Sequence, residues 1–465
     1  MATPHRFDPS ILREYDIRGV VDKTLFVADA EALGLVFGTI VRGEHKGAAR
    51  PRVIIGRDGR LSSPALEEAL CRGLLAAGCD VEDIGLGPTP MLYFAVYHGK
   101  ADGGVMVTGS HNPPDHNGFK IMLGQAPFFG EEIQALGRRA AEGIDPAPAA
   151  GALRESPVFD DYLAELERGY DGKRGLAVAW DPGNGATGDA VVALTKRLPG
   201  RHLLLNERID GTFPAHHPDP TVPKNLEQLI ATVERERADL GIAFDGDGDR
   251  IGVVDGKGRI LWGDQLMILF ARDVLAAKPG STIIADVQSS QVLFEEIERC
   301  GGKPVVWRSG HSLIKRKMKE TGAQLAGEVT GHLFFADRYY GFDDALYAAV
   351  RLLGILGRKA ESLTTLYDRL PRLINTPQLR VDCPDERKFA VVAEVRERLA
   401  AQGARFSDVD GVRVMRDEGW WLLRASNTQP ALVARCEGRS DAALSALKAE
   451  LAEQLALSGI RLPGP

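Results

Sequence analysis

VIIG (53–56), PALEEALCRGLLAAG (64–78), VEDIG (81–85), TPMLYFAVYH (89–98) and GVMVT (104–108) follow one another closely, and their alternation decides the fold class. The short Val- and Ile-rich runs read as strands, while Leu66, Leu70 and Leu74, four residues apart, draw an apolar stripe along a helix. Strand, helix, strand, helix, strand is the order of a mostly parallel sheet covered by helices. The pattern returns twice. A second unit opens on a strand at 176–180, passes a helix at 225–238, ends on a strand at 240–244 and closes at the turn-rich 255–259. A third carries helices at 264–277, 290–299 and 313–321 around strands at 282–287 and 305–307, and finishes at 342–356. EGIDPAPAAGALRESP (142–157) breaks every periodicity and reads as the first linker. Beyond Pro371 strands surround one helix at 387–402, and a last helix lies near 442–457. The expected architecture is α/β: three related mixed-sheet α/β units at 1–155, 156–258 and 259–370, then an α+β unit at 371–465.

A chain of 465 residues exceeds the usual domain several-fold, so several packed units are expected on size alone. With 44% hydrophobic and 26% charged residues the composition is that of an ordered globular protein. A net charge of -7 gives no general attraction for nucleic acid or an anionic membrane. A phosphorylated ligand would therefore need a locally basic cleft. The opening MATPHRFDPS lacks a basic segment followed by an apolar one, and no apolar run can span a bilayer. A cytoplasmic protein is expected. Cys71, Cys79, Cys300, Cys383 and Cys436 are too scattered for a disulfide framework or a CxxC metal site and read as buried thiols.

Four stretches carry chemistry. FDGDGDR (244–250) alternates Asp245, Asp247 and Asp249 with glycines just after a strand. At an effective dielectric near 20, each close carboxylate pair repels by roughly 4 kcal/mol, so a bound cation or strong cationic partners are expected. Oxygen-only ligands point to Mg2+ ahead of Ca2+ or Mn2+, and Arg250 stands where an EF-hand loop needs glycine. An acidic solvent turn is the alternative. VMVTGSHNP (105–113), followed by NGFK (117–120), also leaves a strand, where open α/β sheets place ligands. Ser110 is a candidate nucleophile beside His111, although Ser, Asn and Pro are also ordinary turn residues. RASNTQP (424–430), with Arg435 beyond, is rich in donors and has no acid: a phosphate cradle or a side-chain-capped turn. GEVTGH (327–332) interrupts an apolar run with groups able to bond sugar hydroxyls, or forms a plain turn; the strand-following Ser309-Gly310-His311 is equally open. GNGATG (183–188), with Asp210 beyond, fits the dinucleotide fingerprint but leaves the acidic triad and the donor-rich loop unexplained. The nucleotide-kinase signature GxxxxGK[ST] is missing from the sequence.

In this order, TGSHNP, DGDGDR, GEVTGH and RASNTQP resemble the α-D-phosphohexomutase superfamily over nearly the whole chain, closest to its bacterial phosphomannomutase/phosphoglucomutase branch. The resemblance implies four domains around a central active-site cleft and a transferable phosphoryl group on Ser110. It implies Mg2+ held by Asp245, Asp247, Asp249 and the phosphoserine oxygen. Lys120 and His332 look like acid/base groups, with His111, Arg18 and Arg250 beside them. Tyr15, from REYDIRG (13–19), and Asn112, Gln288 and His311 join the substrate set. Glu328 and Thr330 would read the sugar's hydroxyls, and Arg424, Ser426, Asn427 and Thr428 would grip the non-reacting phosphate. The implied ligands are hexose phosphates, with glucose 1,6-bisphosphate or mannose 1,6-bisphosphate as activator. The intermediate must turn end over end, which suits a mobile final unit hinged near Pro371. The expected assembly is a monomer or small homo-oligomer. Thr330 replaces the serine usual in the sugar loop, and Gln288 stands where a lysine is expected. Val329 argues against the phosphoglucosamine mutase alternative, which usually has glutamine there. A nicotinamide oxidoreductase using 183–188 and a non-catalytic sugar-phosphate sensor are the readings from other classes.

Overall fold

A computed structural model describes residues 4–426 and 430–462. The stretch 53–108 forms the centre of the first sheet. Arg52–Arg57 runs parallel to Asp80–Leu86 on one side and to Gly103–Val107 on the other. The buried Leu66, Leu70 and Leu74 pin the helix Ser63–Ala76 onto it. His116–Leu123 returns antiparallel to Gly103–Val107 and itself pairs antiparallel with Ile17–Val20, so the sheet is mixed. That return brings Lys120 and Arg18 to the same end as the 108–113 loop.

Two local readings differ from expectation. The supposed linker contains the strand Leu153–Glu155, which adds in parallel to Asp80–Leu86. Three exposed residues on a sheet edge are too short to show a period. The turn at 255–259, expected to end the second unit, instead closes a hairpin: Asp255 N–H donates to Arg259 O at 2.9 Å, and Val253 pairs with Leu261. The second sheet thus runs past residue 258. Its strand order is Ile260–Leu261, Ile251–Asp255, Leu240–Phe244, Leu176–Asp181, Gly200–Leu204.

The third sheet has four strands, ordered Lys303–Trp307, Thr282–Asp286, Leu325–Gly327, Leu333–Phe335. Among the described residues the fourth unit is an antiparallel sheet of six strands, with the helices Asp385–Ala401 and Asp441–Ala456 packed on it. One apolar core runs continuously through the first three units, from Ile54 and Phe94 through Trp180 and Phe244 to Leu346 and Leu356. The fourth has its own core around Val391, Val412, Trp421 and Leu451. Four cysteines are buried thiols as expected, while Cys300 is only half-buried. Among the described residues no helix is long and apolar enough to cross a membrane.

Candidate active site

Ser110 sits three residues beyond the strand Gly103–Val107, in the left-handed region at φ 51°. A non-glycine residue there costs on the order of 1–3 kcal/mol unless its surroundings impose it. Two buried residues that sequence reasoning missed, Asp58 and Arg60, impose it. Arg60 donates to four loop carbonyls, Ser110 O at 2.8 Å, Asn112 O at 2.6 Å, Pro113 O at 2.5 Å and His116 O at 2.9 Å, and pairs with Asp58. Asp58 in turn accepts from Thr108 Oγ1 and Gly109 N–H. The signal was present in GRDGR at 56–60, which also leaves a strand at the carboxyl end of the sheet.

Across from this loop lies the acidic turn. Ser110 Oγ donates to Asp245 Oδ2 at 3.1 Å. Asp245 Oδ1 accepts the N–H groups of Gly248, Asp249 and Arg250, which curls the turn inward. Gly246 lets the two loops touch: a Cβ there would collide with Ser110 O. Asp245, Asp247 and Asp249 are fully buried, and their ligand oxygens lie within 4.8 Å of one another. Asp247 Oδ1 and Asp249 Oδ1 have no hydrogen-bond partner. Burial and then the neighbouring Asp249 and Asp247 raise the Asp245 carboxyl well above its ordinary range. Three buried carboxylates, with Asp247 Oδ1 unpartnered and Asp249 Oδ1 met only by His332 at 3.4 Å, fit a hard divalent cation.

Lys120 Nζ, on the returning strand, donates to Asp247 Oδ2 at 2.6 Å and to Asp249. Burial alone would favour neutral Lys120, but the aspartates outweigh it and hold the ammonium. His332 lies on the other side of Asp249, Nε2 to Oδ1 at 3.4 Å, with Nδ1 at 2.8 Å from Glu328 Oε2. Burial opposes its charge, yet Asp249 foremost raises it to about 9. Arg250 Nε also points at His332 Nε2, at 3.3 Å. That nitrogen does one or the other: neutral, it accepts from Arg250; protonated, it donates to Asp249. His111 Nδ1 stands 3.1 Å from Ser110 Oγ, and burial, then Arg250 and Arg18, keep this imidazole neutral.

A cleft of about 540 Å³ joins these groups, lined by Arg18, Ser110, Lys120, Arg250, His311 and His332 among others. Its size suits a small ligand. Arg18 donates to Asn112 Oδ1 at 2.9 Å and pairs with Asp16. Tyr15 donates to Ser309 O at 2.8 Å, and Glu328 Oε1 accepts Gly310 N–H at 2.7 Å. Thr330 Oγ1 is 3.5 Å from His332 Nδ1.

The donor-rich loop is less fully gathered. Pro430 reaches the cleft. Arg424 Nε donates to Asp410 Oδ2 at 2.9 Å, and the same oxygen accepts Ser309 N–H at 3.1 Å. Ser426 is buried, whereas Asn427 and Thr428 lie outside the described residues. Gln288 is placed apart from the cleft lining: its amide donates to Asp286 and Ser309, and its oxygen accepts from Gln378 at 2.5 Å. Its polar atoms are spent at the seam with the fourth unit. The glycines at 183–188 serve loop packing. Ala186 N–H donates to Gly246 O at 2.9 Å, and a Cβ at Gly185 would lie 2.8 Å from that same oxygen.

Residues 9–144, 160–258, 262–373 and 379–454 match, in order, domains I, II and III (alpha/beta/alpha) and the C-terminal domain of phosphoglucomutase/phosphomannomutase. The phosphomannomutase/phosphoglucomutase of Pseudomonas putida is 45% identical over 97% of this chain and 96% of its own. That of Pseudomonas aeruginosa is 44% identical over 98% and 97%. The crystal structure of a phosphoglucomutase/phosphomannomutase family protein from Burkholderia thailandensis superimposes with a TM-score of 0.92 at 41% identity, covering 98% of this chain and 100% of that one.

Proposed function

Since the chain belongs to the phosphoglucomutase/phosphomannomutase family, we propose that it moves a phosphoryl group between the 1- and 6-hydroxyls of glucose, mannose or both, with Ser110 as carrier. It is a mutase of the isomerase class. The observation that carries the assignment to Ser110 is its Oγ, buried 3.1 Å from Asp245 beside two further carboxylates, with Lys120 and Arg250 at hand.

In the first half-reaction the serine O–P bond breaks as a sugar O–P bond forms, and the sugar hydroxyl's proton ends on Ser110 Oγ; in the second, the sugar's other O–P bond breaks as the serine O–P bond re-forms, and the Ser110 proton passes to the freed sugar oxygen. Lys120 and His332, both on Asp249 and both held protonated, are the groups that would give a proton to the departing oxygen and, once discharged, take one from the attacking hydroxyl. Arg18 and Arg250 offset the phosphoryl charge, and Asp58 with Arg60 hold the serine in line. Asp245, Asp247 and Asp249 would hold Mg2+, which when bound supplies charge neutralisation at the transferring group. Glu328 and Thr330 bond sugar hydroxyls, and Arg424 with the neighbouring loop, including Asn427 and Thr428, grips the distant phosphate. A hexose 1,6-bisphosphate is both intermediate and activator. The enzyme works in the cytoplasm on free hexose phosphates, as a monomer or small homo-oligomer.

Phosphorus NMR tests this reading with Mg2+, a trace of glucose 1,6-bisphosphate and, separately, the 1-phosphates of mannose, glucose and glucosamine. Conversion of the mannose or glucose ester to its 6-phosphate is expected. Folded, metal-loaded protein that converts neither contradicts it.

A further inference from the structure

A second cavity of about 320 Å³ lies behind the catalytic cleft, between the first unit's strands and the third unit's helix His311–Thr321. Tyr15, Lys120 and His311 line both spaces and so form the partition between them. Tyr15 is tied to Ser309 O and Lys120 to Asp247 and Asp249, which keeps the partition in place.

One side of this cavity is aromatic. Tyr93, Tyr97, Tyr340 and Phe342 pack ring against ring, with Tyr97 5.5 Å from both Tyr340 and Phe342, Tyr93 5.6 Å from Phe342, and Tyr340 stacked on Phe342 at 5.8 Å. The other side is cationic. Lys315, Arg316 and Lys319 come from the run KRKMK at 315–319, a basic stretch that the mutase chemistry leaves unused. With Lys120 the lining has four cations and, among the described residues, no carboxylate, in a protein whose overall charge is -7.

Three of these cations are answered from outside the cavity: Lys120 by Asp247 and Asp249, Lys315 by Asp343 at 2.8 Å, and Arg316 by Glu132 at 3.0 Å. Lys319 is exposed and has no ion pair or hydrogen bond among the described residues. One positive charge is thus left over beside aromatic walls, in a space at the small end of the range for organic ligands. Rings stack on rings and an anion pairs with an unanswered ammonium.

We infer that this cavity is a second ligand site, for a small organic anion carrying one flat ring and one acidic group, separate from the hexose phosphate site. Its occupant rests against the far side of Lys120 and His311, so it alters turnover without displacing substrate.

Anilinonaphthalene sulfonate, a ring-bearing anion whose fluorescence rises on apolar contact, tests this with the full-length Mg2+-loaded protein. One dye is expected to bind per chain, with hexose 1,6-bisphosphate at saturation leaving its affinity unchanged. Lys319→Glu reverses the unanswered charge at an exposed position and is expected to weaken the dye at least about tenfold while keeping full mutase turnover. Lys196→Glu, an exposed change on the second unit, should have no effect. Tyr340→Ala removes part of the aromatic wall and should weaken the dye independently. Absence of binding, displacement by the bisphosphate, or equal affinity in wild type and Lys319→Glu would each overturn the inference. The mutase assay on the same samples separates this outcome from a failure of the catalytic reading.

Discussion

The seams among the first three units and the seam to the fourth are made of different material. The first are apolar and continuous: Tyr93 meets Phe342 and Phe94 meets Tyr162 across unit boundaries, within the core that also holds Trp180 and Leu346. The last has a small apolar contact, Val287 with Trp420 and Leu422, set among polar links. Arg413 donates to Val287 O, Arg435 to Gln288 O and Asp264, and Gln291 N–H to Glu437. Apolar area returned to water is a cost in proportion to its size, whereas polar links with an ionised partner exchange for water at about 1.5–3 kcal/mol each. On the proposed function, the chemistry falls to the block with the continuous core and the grip on the distant phosphate to the unit with the more polar seam.

The sharpest test of that division is Ser110→Ala. On the proposed role of Ser110, turnover should fall by a factor on the order of 10⁴ or more, with the denaturation midpoint little changed, because that role gives the side chain the reaction and not the block. Mutase activity and a denaturant titration on one preparation check it, and substantial residual turnover would remove the carrier from Ser110.

Leu346→Ala comes next. A fully buried leucine in the shared core should cost about 2–5 kcal/mol. Denaturant unfolding should show the first three units losing it together; a loss confined to one unit would break the picture of a continuous core.

Asp344 offers a pH probe of the same block. It caps the helix Ala345–Arg358 and accepts from Tyr162 of the second unit and Tyr339 of the third. Burial pushes its carboxyl from 3.8 up to about 6, against the hydrogen bonds that lower it. A raised carboxyl favours the protonated folded form, so its contribution is complete below pH 4 and is lost as pH rises through 6. The loss is at most about 3 kcal/mol. Asp344→Asn should flatten that part of the stability profile, and an unchanged profile would rule Asp344 out as its source.

Arg424→Ala addresses the fourth unit and carries the smallest effect. Losing a charge-assisted grip on phosphate should cost about 1.5–3 kcal/mol in kcat/KM, mostly through KM. A loss residing wholly in kcat would place the fourth unit within the chemistry.

The sequence by itself determined the α/β class, the four units and the chemistry-bearing loops, because strand and helix periods and loop residue types are local properties. The acidic triad was legible for the same reason: its three carboxylates lie within five consecutive residues, and one turn brings them together. Only the tertiary structure decided what depends on distant backbone. Arg60 holds carbonyls some fifty positions away, Gln288 turns its amide into a seam, and Leu153–Glu155 becomes a strand only because Asp80–Leu86 offers an edge. The rear cavity likewise joins Tyr93, Tyr97 and Lys120 of the first unit to Lys315, Lys319, Tyr340 and Phe342 of the third. Such placements follow from how separately folded layers pack, and no local period or motif encodes that.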